Sequence, residues 1–239
     1  MGIIGREGCL AEYVTLPIKN LHLVPDELDD TAAAFCEPLA AACRILEQGL
    51  PLPGSEVCVV GDGKLGLLCA QVLASHSAET NVKVTLIGRH LEKISLISGL
   101  YESYVVPSGG LIPDHLKSKF HMVVEATGSS DGINTALSLT KPMGCMVLKT
   151  TVSSAWTSES SRPPVLFSDL CNDIVVNEKT LVGSRCGPMD MALGLMTKKA
   201  EIQSLLVKMV HHQQFGIDEG VEAINTAAKK GVMKVQLKM

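Results

Sequence analysis

"GSEVCVVGDGKLGLLCAQVL", residues 54–73, joins a short β-branched run to a longer apolar one through three glycines. Gly61, Gly63 and Gly66 stand in G-x-G-x-x-G spacing, with a predicted strand before them and a predicted helix opening at Lys64 and Leu65. The first glycine permits a tight turn, the second lets a pyrophosphate approach the backbone, and the third lets helix and strand pack closely. The helix start then offers free N–H groups and the positive end of its dipole to an anion. A second β-branched run, "VKVTLIG" at 82–88, follows at the right distance. The context favours a dinucleotide site over glycines that serve only a tight turn.

Working outward, short β-branched runs alternate with longer helical ones. "EVCVV", "VKVTLIG", "YVVP", "FHMVVEAT" and "GCMVLKT" read as strands, with "KLGLLCAQVLASHS" and "LEKISLISGL" as helices between them. Continuously apolar strands alternating with helices indicate parallel βαβ units covered on both faces. The expected fold class is α/β, a Rossmann-type doubly wound parallel sheet whose strand count suits six. The Ser-, Thr- and Pro-rich residues 151–164, which hold Trp156, read as an exposed loop. Two amphipathic helices follow, the second with Asp218 as a plausible N-cap and Gly231 as a plausible C′ residue.

Composition excludes several classes of function. The 239 residues carry a formal charge of -4 and only 3% aromatics, which gives no electrostatic footprint for nucleic acid and few stacking platforms for bases, so nucleic acid is not an expected partner. No apolar stretch reaches the roughly 18 residues of a membrane span, because Asp62 and Lys64 interrupt the longest one. The opening "MGIIGREGCLAEYV" meets Arg6 and Glu7 before a secretory apolar region develops. Eight cysteines without a C-x-x-C pair suit reduced thiols, Cys36 and Cys43 among them as small core residues, and a cytoplasmic location.

The second strand bears on which dinucleotide is bound. An NAD site usually closes that strand with an acid for the ribose 2′-hydroxyl. Gly88 and Arg89 stand there instead, leaving room for a 2′-phosphate and a guanidinium to meet it. NADP(H) is therefore favoured and NAD(H) stays possible, with Arg89 then a solvated cation and Glu92 on the ribose. No G-x-x-x-x-G-K-[ST] loop is present. The Tyr-x-x-x-Lys pair of a short-chain reductase is missing too: Tyr13, Tyr101 and Tyr104 are followed four residues on by Pro17, Val105 and Ser108.

Five collinear stretches, "GREGCLAEYVTLPIKNLHLVPDELDDTAAAFCEPLAAACRIL", "VCVVGDGKLGLLCAQVL", "VVEATGSSDGINTALSLTKPMGCMVLKT", "VVNEKTLVGSRCGPMDMAL" and "FGIDEGVEAINTA", resemble the medium-chain zinc-type alcohol dehydrogenase superfamily, particularly its threonine and sorbitol dehydrogenase-like branch. The resemblance implies that Gly61, Gly63 and Gly66 hold the pyrophosphate and that Arg89 lies near the adenosine ribose. Ala126, Thr127 and Gly128 would line the cleft, Leu148, Lys149 and Thr150 would approach the nicotinamide ribose, and Lys234 would stand near the pyrophosphate. It further implies that Glu37 of the "EPL" motif looks toward a catalytic zinc as ligand or close outer carboxylate. From the residues alone, Pro38 is well placed as a first helical residue and Glu37 as its N-cap, and the two roles are compatible.

On that resemblance, residues 1–43 are a remnant of a GroES-like catalytic domain, 44–185 form the dinucleotide-binding domain, and 186–239 return to the catalytic domain. A catalytic zinc needs about three protein ligands, and Glu37 is the one candidate here. His22 lacks the family's Gly-His-Glu context and is expected to be a strand residue, so this chain is not expected to bind zinc. Three readings follow: an N-terminally truncated dehydrogenase that moves hydride between a nicotinamide and an alcohol or carbonyl, an inactive NADP(H)-binding or dimerisation module, and a zinc-free reductase of the quinone reductase kind. The "EPL" motif argues against the third. The resemblance also suggests a homodimer through the cofactor domain, and unpartnered apolar surface is expected to lower solubility.

Overall fold

The computed structural model describes residue 5 and residues 7–49, 51–151 and 166–238. A short helix α1 (Asp30–Ala33) leads into α2 (Cys36–Glu47). The sheet-bearing part runs β1 (Glu56–Val60), α3 (Lys64–Ser75), α4 (Ser77–Thr80), β2 (Lys83–Gly88), α5 (Leu91–Ile94), β3 (Glu102–Val105), β4 (Phe120–Glu125), α6 (Ser130–Leu139), β5 (Thr140–Leu148), α7 (Phe167–Val176) and β6 (Thr180–Gly183). Then come α8 (Met189–Lys198), α9 (Ala200–Met209), β7 (Phe215–Gly216), α10 (Gly220–Ala227) and β8 (Leu237–Lys238). The main sheet has six strands in the order β3-β2-β1-β4-β5-β6, every neighbouring pair parallel. Chain order reverses between β1 and β4, which opens a crevice at their carboxyl ends.

Alternation along β1 explains the two-sided core. Val57 and Val59 face one layer with Val84, Leu86, Met122 and Val124, under helices α2, α3, α8 and α9. Cys58 and Val60 face the other with Ile87, Val123 and Met146, under Leu116, Ala136 and Leu139. Such period-two burial on both faces is what a covered parallel sheet requires. Helix α3 is buried along its whole run from Gly66 to Ser75. Even Gln71 fits inside, because its amide donates to Ser98 O at 3.1 Å and accepts from Ser98 N at 3.0 Å.

Several sequence-based expectations need correction. Glu37 is not an N-cap: α2 begins at Cys36 with Phe35 as its cap. The chain has already turned at α1, where the Asp29 carboxylate accepts from Ala32 N at 2.7 Å, so the helix starts early. Glu37 stays in the first turn, where the dipole still favours it. Near the C-terminus Glu219, not Asp218, supplies the capping carboxylate, accepting from Gly216 N at 2.7 Å. Gly231 adopts a left-handed φ of 88° but lies beyond Ala228, the C-cap of α10. The run at 91–100 folds as helix only over Leu91–Ile94. His22 belongs to no strand, and its Nδ1 lies 2.8 Å from Asp190 Oδ1. The loop with Trp156 lies outside the described residues.

A Cβ at Gly66 would come within 2.1 Å of Gly61 O, so α3 can approach the β1 turn only without a side chain there. Gly66→Ala should lower unfolding stability by about 1–3 kcal/mol, the usual cost of overpacking, read from urea midpoints.

Candidate functional site

The glycine turn sits at the crevice between β1 and β4. Gly61 takes a φ of 117°, and a Cβ there would meet Ala126 O at 2.8 Å, so only glycine fits between the turn and the end of β4. Gly63 has nothing within 4 Å of where its Cβ would be, which leaves open space over the second glycine. It is also the N-cap of α3 and makes no side-chain cap hydrogen bond. The first N–H groups of α3 therefore point into that space with nothing from a capping side chain to satisfy them. Leu65 packs partly into the core, and the exposed Lys64 opens the helix.

Beside this turn a cleft of about 300 Å³ runs between the ends of β1, β2 and β4, and Gly61, Gly63, Arg89, Ala126 and Thr127 all line it. Gly128, Leu148, Lys149 and Thr150 do not border it, nor does Glu92, which is exposed on α5. At the end of β2 the space over Gly88 is filled by Asp62, whose Cβ would lie 2.6 Å from a Cβ on residue 88. Asp62 Oδ2 accepts from Arg89 N and His90 N at 2.7 Å each, and His90 Nδ1 lies 2.9 Å away. Burial pushes the Asp62 carboxyl up, but the backbone N–H groups of His90 and Arg89 and the His90 ring outweigh it and hold the pKa below the usual aspartate value. A carboxylate thus does reach the end of β2, from the glycine turn rather than from the strand.

A second buried carboxylate, Glu125, closes β4 and is fully inaccessible. It accepts from Thr127 N at 2.6 Å, Thr127 Oγ1 at 2.5 Å and Thr150 Oγ1 at 2.8 Å, which compensates a charge that would otherwise be costly to bury. These bonds set the turn from β4 into α6, where Ser129 caps the helix by accepting from Gly132 N at 3.1 Å. Asp62, His90 and Glu125 had not been singled out from the sequence. The available signals were an acid between two glycines of the turn and an acid ending an otherwise apolar strand.

Lys149, expected near the nicotinamide ribose, turns its side chain into the core. Its Nζ donates to Ala41 O at 2.5 Å, Ser184 Oγ at 3.0 Å and Arg185 O at 3.2 Å, tying β5 to α2 and to the chain after β6. Lys234 lies with Nζ 5.6 Å from the Phe35 ring centroid. Burial and the neighbouring Lys64 push its pKa down, against an upward pull from Glu37, so two cations and one acid gather beside the start of α3. Cys43 is buried, with its thiol pushed up to about 12 by burial. Cys36 is half-buried and donates to Met189 O at 3.7 Å. Among the described residues no three His, Cys, Asp or Glu side chains come together as a metal-holding group.

Residues 42–232 match the model of the glucose dehydrogenase C-terminus family. The chain belongs to this family. A glucose 1-dehydrogenase from Vulcanisaeta moutnovskia is 32% identical over 190 residues, covering 77% of the chain and 51% of the relative. The L-threonine 3-dehydrogenase of Escherichia coli is 26% identical over 136 residues, 57% of the chain and 37% of the enzyme. S. aureus TarJ, solved in complex with NADPH, superposes with a TM-score of 0.71 at 18% identity, over 90% of the chain and 67% of TarJ. The resemblance to the zinc-type medium-chain dehydrogenases is thereby borne out, as is the doubly wound fold. This family member spans about half the length of the curated relatives it matches. None of its described helices is long and apolar enough to cross a membrane.

The ionised form of Asp62 stabilises the fold. Because its folded pKa is lowered, that contribution is complete above the unfolded aspartate value of about 3.9 and is lost as pH falls through the lower folded value. Asp62→Asn should therefore flatten the fall in urea midpoint on acidification below about pH 4.

Proposed function

We propose that this chain binds a nicotinamide dinucleotide, NADP(H) in preference to NAD(H), and is the cofactor-binding part of an alcohol or polyol dehydrogenase. The observation that carries the proposal is the open space over Gly63 at the start of α3, at the sheet's reversal point and beside a β2 end that presents Arg89. The residues fit the ligand. Gly61 and Gly66 exclude side chains where the backbone must close up, and Gly63 leaves room where a pyrophosphate would lie. The N–H groups of α3 would hold the pyrophosphate, with Lys64 and Lys234 supplying charge, while Arg89 would meet the 2′-phosphate. Ala126 and Thr127 would wall the cleft, with Gly128 and the backbone of Leu148, Lys149 and Thr150 toward the nicotinamide ribose. Residues 44–185 would carry this site, and 1–43 and 186–239 would contribute to a catalytic domain.

When bound, the nicotinamide supplies a carbon that accepts or donates hydride against an alcohol or carbonyl. Zinc does not fit the described residues by themselves: Glu37 is exposed in the first turn of α2, with no second and third ligand gathered around it. A dehydrogenase containing this chain would draw its metal ligands and substrate contacts from elsewhere. The chain acting alone would hold the nucleotide without turning it over.

We also propose a homodimer through the open edge of the sheet. Among the described residues strand β6 has a neighbour on one side only, and α7, which precedes it in the chain, buries none of its residues. Leu181 on β6 and Phe167, Val175 and Val176 on α7 are exposed, which makes an apolar edge suited to a second copy. The unpaired thiols suit a reducing compartment such as the cytoplasm.

Calorimetric titration of the 239-residue chain should show both nucleotides binding, NADP⁺ more tightly. Arg89→Ala should weaken NADP⁺ about tenfold or more, the worth of a charge-assisted bond, and change NAD⁺ little; equal losses for both would refute the assignment of Arg89. Leu181→Asp should convert a dimer to monomer by light scattering, and an unchanged mass would reject the β6 interface.

A further inference from the structure

At the amino ends of β1, β4 and β5, the end of the sheet away from the glycine turn, β5 departs from regular pairing. Phe120 pairs with Thr140 and Met122 with Cys145, so residues 141–144 of β5 stand opposite His121 alone. The surplus residues cannot stay in the ladder and bulge out of it. The bulge closes tightly: a Cβ on Gly144 would lie 2.8 Å from Lys141 O, and Met143 takes a left-handed φ of 60° while its N–H donates to Asn177 O at 2.8 Å. Between this bulge and residues 51–55, which lead into β1, lies a cavity of about 760 Å³. That volume is in the range of small-molecule pockets. It shares none of its lining residues with the cleft beside the glycine turn.

Leu52, Pro53, Met122 and Met143 give the cavity apolar walls, and its polar groups favour one sign of charge. Among the described residues that line it, Lys141 is the one cation, no carboxylate is present, and Lys141 has no ion-pair partner. Glu56, next to the lining residue Ser55, is held by Lys119 Nζ at 3.2 Å. His121 Nδ1 accepts from Glu56 N at 3.2 Å, so the proton of the neutral ring sits on Nε2 and that nitrogen is a donor. Burial pushes the Cys145 thiol up, so it stays protonated at neutral pH and adds no negative charge. Thr140, the C-cap of α6, donates both its N–H and its hydroxyl to Ala136 O, which satisfies a helix carbonyl that would otherwise compete for the ammonium. We propose that this cavity is a second ligand site, for an amphipathic organic anion whose carboxylate meets Lys141 and the His121 Nε2–H and whose apolar body lies against Leu52, Met122 and Met143. A small inorganic anion would leave the apolar walls bare, and a neutral ligand would leave the ammonium unmatched. The site is independent of the nucleotide reading, being at the opposite end of the sheet.

The test is methyl NMR of the full 239-residue chain labelled at its methionine methyls, titrated at neutral pH with octanoate, octanamide or inorganic phosphate. Octanoate should shift the Met122 and Met143 signals saturably. Octanamide should bind about tenfold more weakly, the worth of one charge-assisted contact, and phosphate should leave both signals unmoved. Lys141→Met should reduce octanoate to the affinity of octanamide, whereas Lys141→Arg should retain it, which separates loss of charge from loss of fold. Excess NADP⁺ should leave octanoate in place. Absence of a saturable shift at Met122 and Met143 would overturn the proposal, as would displacement of octanoate by NADP⁺, which would put it in the other cleft. Equal binding of octanoate and octanamide, with Lys141→Met harmless, would show an apolar patch only and overturn the anion assignment. Phosphate binding as tightly as octanoate would overturn the amphipathic class.

Discussion

The approach of α3 to the carboxyl end of β1 is the constraint on which the rest of the structure depends. Gly66 lets the helix come close enough that any Cβ would collide with Gly61 O, and Gly61 in turn presses against the backbone at the end of β4. Three elements thus meet at backbone distance. With α3 in that position its apolar residues are buried on all sides, between the sheet and helices α2 and α9. The same approach leaves open space over Gly63 at the start of α3, so one packing decision creates both the core and the open helix start at the crevice.

Two carboxylates organise the rim of that crevice in the same manner. Asp62 gathers the N–H groups of Arg89 and His90, and Glu125 gathers the N–H and hydroxyl of Thr127 and the hydroxyl of Thr150. Each replaces lost hydration with short, charge-assisted bonds, and each fixes a strand-to-helix turn that lines the cleft. The turn after β2 and the turn after β4 are therefore held by side chains rather than by regular backbone pairing. They place Arg89 and Thr127 on the cleft with Gly61.

Apolar surface is distributed unevenly around this rim. Both faces of the central strands are covered, whereas α7 buries none of its residues and β6 is an open edge among the described residues. Residues 10–24 add further exposed side chains, among them Tyr13, Ile18 and Leu23. Such area is stable in water when another surface covers it.

The sequence by itself determined the architecture, because glycine spacing and β-branched runs are local signals. Residues 56–60 and 61–66 carry their own instructions for strand, turn and helix, and period-two burial follows from them. Which side chains meet across the crevice was decided only by tertiary structure. Gly88 reads as a missing acid along the chain, yet Asp62, 26 positions earlier, brings a carboxylate to that place once β1 and β2 are paired. The resemblance sets Lys149 near the nicotinamide ribose, and its ammonium is held by oxygens of Ala41, Ser184 and Arg185 that only folding brings near. Glu37 reads as a cap until α1 turns the chain before it. Local propensity depends on neighbours within a few residues, whereas a buried charge is placed by whichever distant donors can replace its water.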